Sequence, residues 1–314
     1  MKIYRLVKAP PIPPAVLAIV IACTMLGGCR AISRYSESRQ TIAARRLSRQ
    51  GLEAMHNGQW EVAEDLFTGA LDITSADDRA HWGLAESLWQ RGERDTALKH
   101  MEQAVRLSAS DPRLMRRLAR MYFDLGHFAE AEKQTMVALE ADRESAEVWA
   151  LRGDCLMNRA DQLGALAAYH RAMAIQPDYP EVQIRAAELY RNQGRYDRLL
   201  ATIDRLQESL GADQTCPIRG QVLRGIALRQ LDRPLEAQQC FAEAIRDAPL
   251  DPDPLINLAE LYLSTGDLSS AQNAIDQAIS LAPGSVVAVS LSHQIRDTAS
   301  RLATDPEGGS RLNR

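Results

Sequence analysis

"LAESLWQRGERDTALKHMEQAVRLSASD", residues 84–111, is followed 34 positions on by "LARMYFDLGHFAEAEKQTMVALEADRES" (118–145), and 34 further on by "RGDCLMNRADQLGALAAYHRAMAIQPDY" (152–179). Each stretch sets a small or Gly residue before an apolar one three later. A turn follows, then Ala, a bulky residue four later and Ala three later again. The triplets are Ala63/Phe67/Ala70, Ala97/Met101/Ala104, Ala131/Thr135/Ala138 and Ala165/Tyr169/Ala172. They continue as the degenerate Leu199/Ile203/Leu206, then Ala237/Phe241/Ala244 and Ala271/Ile275/Ala278. Positions i, i+4 and i+7 share one helical face. Alanine on that face lets two helices approach closely, and the bulky residue fills the gap. Gly58, Gly92, Gly126, Gly194 and Gly266 recur at the bend between the helices. Pro177, Pro249 and Pro283 fall after the second helix, where proline costs no needed hydrogen bond.

The composition agrees with helices. Of 314 residues 46% are hydrophobic and only 5% aromatic, and Ala and Leu lose little entropy in a helix. A net charge of −4 argues against a nucleic-acid role for the whole chain, which usually needs a basic surface.

A 34-residue period of paired helices resembles the tetratricopeptide repeat (TPR) family. Seven repeats start near Ala44, Asp78, Pro112, Ala146, Pro180, Ile218 and Pro252, every step 34 except the fifth, which is 38. Repeats 1–5 occupy 44–210, a loop-rich interruption 211–217, and repeats 6 and 7 218–285. The fifth repeat lacks both signature alanines, which predicts looser packing there. Ser285 is placed to cap a final helix, 286–303, covering the last apolar face as repeat arrays require. Residues 304–314 read as a polar, disordered tail. The resemblance implies an all-α fold, a right-handed superhelical α-solenoid whose concave surface binds partners.

In this family positions 2, 5, 9, 12 and 13 of each first helix face the groove. That register assigns Arg79, Trp82, Glu86 and Trp89 from the second repeat. It assigns Arg113, Arg116, Arg120 and Phe123 from the third, and Glu147, Asp154, Met157 and Asn158 from the fourth. Three arginines at i, i+3 and i+7 make a basic stripe beside two tryptophans, and Trp and Arg dominate many interfaces. The bland reading is a solvated stripe neutralised by Glu86, Glu147 and Asp154, with one or both tryptophans packed between helices. The Lys/Asn carboxylate clamp of chaperone-binding members is not carried over, because its asparagines are missing from the second repeat.

The N-terminus fixes the expected compartment. Lys2, Arg5 and Lys8 precede "AVLAIVIACTML" (15–26), an apolar run too short to span a bilayer comfortably. The ending Leu26-Gly27-Gly28-Cys29 resembles the lipobox of bacterial lipoproteins. By that resemblance 1–28 is a cleaved signal peptide, Cys29 carries the lipid, and 29–43 is a short linker. An ordinary secretory signal or an uncleaved anchor is the alternative. Loss of 1–28 leaves 34 basic against 41 acidic residues. Arg30, not Asp, follows the cysteine, so the expected location is the outer membrane facing the periplasm.

Of the other cysteines, Cys23 leaves with the signal. Cys155, Cys216 and Cys240 remain, an odd number, with no C-x-x-C for zinc. Cys155 sits where small buried residues are usual. There is no G-x-S-x-G, P-loop, G-x-G-x-x-G or H-E-x-x-H, and the six histidines are scattered, His81 at a packing position. The expectation is a protein that is not an enzyme and takes no cofactor beyond a lipid on Cys29.

The function expected from these readings is a lipid-anchored envelope scaffold that binds a protein segment in its groove. TPR lipoproteins of this kind include pilotins for pilus secretins, outer-membrane assembly components and adaptors for cell-wall enzymes. Two alternatives stay open. One is a glycan binder stacking sugars on Trp82 and Trp89; the other is a self-assembling structural array.

Overall fold

The computed structural model describes residues 39–109, 111–210 and 215–304. The signal segment 1–28, Cys29, residues 30–38 of the expected linker, most of the 211–217 interruption and the 305–314 tail lie outside the described residues. Among the described residues every regular element is a helix. The chain divides after His127 into two compact units.

The first unit holds α1 (39–56), α2 (Trp60–Ile73), α3 (Asp78–Arg91), α4 (Arg94–Leu107) and α5 (Pro112–Asp124). Residues 39–43, expected as linker, are the first turn of α1. The second holds α6 (Phe128–Ala141), α7 (Ala146–Asn158), α8 (Gln162–Ile175), α9 (Pro180–Asn192), α10 (Tyr196–Leu210), α11 (Ile218–Gln230), α12 (Pro234–Asp247), α13 (Pro252–Thr265), α14 (Leu268–Leu281) and α15 (Val286–Thr304).

Local chemistry sets the helix starts. The Asp77 carboxylate accepts from the amides of Arg79 and Ala80, and Asp111 and Asp251 cap α5 and α13 in the same way. Pro112, Pro180 and Pro252 stand in the first turns of α5, α9 and α13, where no amide proton is needed.

The turns between paired helices need a left-handed residue. Gly58, Gly92, Gly126, Gly194 and Gly266 have φ between 68° and 88°, and nothing lies within 4 Å of where their Cβ would stand. Glycine is there for its backbone, not for room. Repeats four and six hold the same conformation without it, at Ala160 (φ 63°) and Asp232 (φ 59°). A left-handed L-residue costs about 1–2 kcal/mol. Glycine recovers that cost but gives back about 0.5–1 kcal/mol in unfolded-state entropy. Ala160→Gly should therefore gain roughly 0.5 kcal/mol, and β-branched Ala160→Val should lose more than about 1 kcal/mol. Urea unfolding of the two variants checks the pair.

All seven triplets form the core: each of their residues is at most 2% exposed. In the fifth repeat, expected from the sequence to pack more loosely, Leu199, Ile203 and Leu206 are fully buried, so its core is sealed. At the far end Ala288, Leu291 and Ile295 of α15 cover α13 and α14, and the Ser285 hydroxyl accepts from the Ala288 amide at 3.3 Å. Cys155, Cys216 and Cys240 are buried thiols in no disulfide among the described residues, and burial pushes the Cys216 thiol up to about 11.

Candidate functional site: a pocket between the first helices of the leading repeats

Within the first unit, α1, α3 and α5 line a pocket of about 420 Å³. Leu52 comes from α1; Asp78, Arg79, Trp82 and Glu86 come from α3; Arg113, Leu114 and Arg117 come from α5, with Asp111 at its cap. Leu52, Trp82 and Leu114 pack against the core and supply the apolar floor. The indole N–H of half-buried Trp82 makes no hydrogen bond to any described residue.

The charges around this floor balance three to three. Arg117 grips Glu86 with both arms of its guanidinium, Nε to Oε1 at 2.6 Å and Nη2 to Oε2 at 2.7 Å. Arg113 turns back on its own cap, Nη2 to Asp111 Oδ2 at 2.9 Å, and its hydrogen bonds hold the Asp111 carboxyl below the ordinary carboxylate range. Arg79 is exposed and makes no ion pair among the described residues. Of the three arginines of the basic stripe, Arg113 is thus neutralised in place by its own helix cap.

Of the eight groove residues assigned from the second and third repeats, four, Arg79, Trp82, Glu86 and Arg113, line this pocket. Trp89 does not. It is 8% exposed and packed in the core, with Arg94 4.1 Å and Arg117 5.5 Å from its ring centroid. The α3–α4 turn encloses the C-terminal end of α3, and the two guanidiniums close over its ring. Arg116, Arg120 and Phe123 are half-buried on α5 and outside the pocket, Arg120 lying 5.7 Å from the Phe123 ring centroid. In the second unit Asp154 is also not a groove acid. It is 6% exposed and accepts from Tyr169 Oη and Arg185 Nη1. His81 is satisfied as expected, Nε2 on the Ser75 carbonyl at 3.1 Å and Nδ1 3.0 Å from His100 Nδ1.

Sequence reasoning missed Leu52, Leu114 and Arg117 because the pocket lies between successive first helices. Its second wall therefore comes from positions 2, 3 and 6 of the next repeat. One signal could have found Arg117. An acid pairs with an Arg 31 residues away in Glu86–Arg117, Asp154–Arg185 and Glu188–Arg219, and in reverse order in Arg229–Glu260. A 34-residue repeat less one helical turn predicts that spacing.

The tetratricopeptide repeat family matches residues 48–112, 88–155 and 228–291, together more than half of the sequence. The chain belongs to that family. The unmatched interval from 156 to 227 includes the degenerate fifth repeat. Among solved structures, the C-terminal part of a TPR repeat-containing protein from Cytophaga hutchinsonii is similar at 16% identity, covering 78% of this chain and 98% of that one, with a TM-score of 0.64. PilF of Pseudomonas aeruginosa is similar at 17% identity, covering 67% and 94%, TM-score 0.54. PilW, described as a widely conserved type IV pilus biogenesis factor, is similar at 17% identity, covering 67% and 96%, TM-score 0.54. At these identities the likeness is one of fold.

Proposed function

We propose that this chain is a lipid-anchored scaffold of the bacterial cell envelope, held by Cys29, that grips a protein segment by an apolar or aromatic side chain over Trp82. The TPR fold is that of protein–protein interaction scaffolds, and the apolar floor ringed by paired charges is the observation that carries the finer reading. A carboxylate-rich ligand would have to displace Glu86 or Asp111 from its arginine. A bulky apolar side chain displaces only water, and its neighbouring backbone or one acid can reach Arg79. Stacking of a sugar between two tryptophans is not supported, since Trp89 is buried. The lipobox and Arg30 support the outer membrane facing the periplasm, and no catalytic or cofactor role is proposed.

The test compares full-length native chain with Trp82→Ala and Arg120→Ala as baits in detergent-solubilised envelope. A central tryptophan is worth about 2 kcal/mol or more at an interface, so Trp82→Ala should weaken retention of one defined protein by about 30-fold. Arg120→Ala, outside the pocket, should leave it unchanged. Equal retention by all three, with unaltered helicity, would reject the pocket as the binding site.

A further inference from the structure

The first helix carries charge on one side only. Ala44, Ser48, Gly51 and Ala54 of α1 are buried toward α2 and α3, with Ser48 Oγ donating to Asp77 Oδ2 at 2.7 Å. The opposite face begins with Ile42, 67% exposed, and continues with Arg45, Arg46 and Arg49, all exposed. These positions are spaced i, i+3, i+4 and i+7 and so share a face. Among the described residues none of the three guanidiniums makes an ion pair. Glu53 and His56 follow at the far end of the same face.

The rest of the chain has the opposite sign. Residues 30–56 hold six arginines and two acids, whereas residues 57–314 hold 28 basic and 39 acidic side chains. Nine residues separate Cys29 from α1. Fully extended, they reach about 30 Å, so a lipid on Cys29 would keep α1 near the bilayer surface.

We propose that the outer face of α1 docks on anionic phospholipid, with Arg45, Arg46 and Arg49 against the headgroups and Ile42 in the interfacial zone. The proposal rests on the lipid-anchor reading, because the anchor supplies the nearness. A lipobox cysteine carries two or more acyl chains, which retain the protein by themselves, so the polybasic patch would serve to lay α1 on the surface. The acidic remainder is repelled by the same surface, which fixes the end of the chain that faces the membrane.

The experiment uses the full chain with Cys29→Ser, so that no lipid masks the effect. Its sedimentation with neutral phosphatidylcholine vesicles is compared with that on vesicles containing 30% (about one lipid in three) phosphatidylglycerol. Each arginine near such a surface contributes about fivefold, so Arg45→Gln, Arg46→Gln and Arg49→Gln together should lower partitioning onto the anionic vesicles about a hundredfold. Binding to neutral vesicles should not change. The triple lysine replacement should keep the anionic preference, and added salt should erase it. An anionic preference unaffected by the glutamine variant, or no preference in the parent chain, overturns the proposal. Labelling of Cys29 by radioactive palmitate in cells tests the anchor separately. Its absence rejects the anchor while the vesicle result still decides the fate of the α1 face.

Discussion

Phe67→Ala is expected to destabilise the first unit by about 4 kcal/mol, near the upper end for a buried aromatic truncation. The ring is fully buried on α2 and is held between two glycines. A Cβ at Gly51 of α1 would lie 2.7 Å from the ring, and one at Gly83 of α3 would lie 2.1 Å from it. One side chain therefore joins three helices, and its removal opens a cavity that none can close without shifting against the others. Gly83→Ala reports the same contact from the other side. Alanine improves helix propensity by about 1 kcal/mol, yet its methyl would overlap a ring that has no free space to enter. The net should be a loss of about 2 kcal/mol. Because each repeat touches only its neighbours, amide protection in α1–α4 should collapse while α11–α14 keep theirs. Binding at the pocket should fall too, since Leu52 and Trp82 stand on the helices that the ring joins. A change below about 1 kcal/mol in Phe67→Ala would mean that the glycine clamp is not what positions α1 and α3.

The fold was legible because the repeat imposes one pattern seven times. Each triplet alone is a weak helical signal, but five and then two follow one 34-residue register, and all are buried. What the pattern hid was backbone conformation that no longer needs its usual residue. Ala160 and Asp232 take the left-handed turn that glycine takes elsewhere. Tertiary packing on both sides over-determines those turns, so the local signal can decay while the structure stays. The fifth repeat is the same lesson in the core: leucines replace alanines and the core stays closed.

The site was less legible, for a geometric reason. A position number within one helix says which way a side chain starts, not what it meets. Trp82 and Trp89 are seven residues apart and look equivalent, yet one lines the pocket and the other is closed over by Arg94 and Arg117. Charge misled in the same way. Arg113 looks like an offered cation until its partner two residues away, Asp111, is identified.

Asp154→Ala should cost about 3 kcal/mol and is the second large effect. The carboxylate is 6% exposed and binds the Tyr169 hydroxyl at 2.8 Å and Arg185 Nη1 at 2.7 Å. These two partners differ in what they lose. The Arg185 side chain is 40% exposed and can turn to water, so its share is small. Tyr169 is 2% exposed, and without Asp154 its hydroxyl is buried and unpaired. Burial and the neighbouring carboxylate hold its phenol above the ordinary range, so it stays protonated and donates to the carboxylate. Most of the penalty should therefore come from the orphaned hydroxyl and the cavity, not from the broken ion pair. A double-mutant cycle separates these. In a Tyr169→Phe background, Asp154→Ala should become at least about 1 kcal/mol less damaging, while Arg185→Gln alone should cost less than about 1 kcal/mol. If Arg185→Gln proves as harmful as Asp154→Ala, the ion pair carries the load. The recurring acid–arginine spacing of 31 would then be the main inter-repeat fastening, and Glu86–Arg117 would become as much a brace of the first unit as a wall of its pocket.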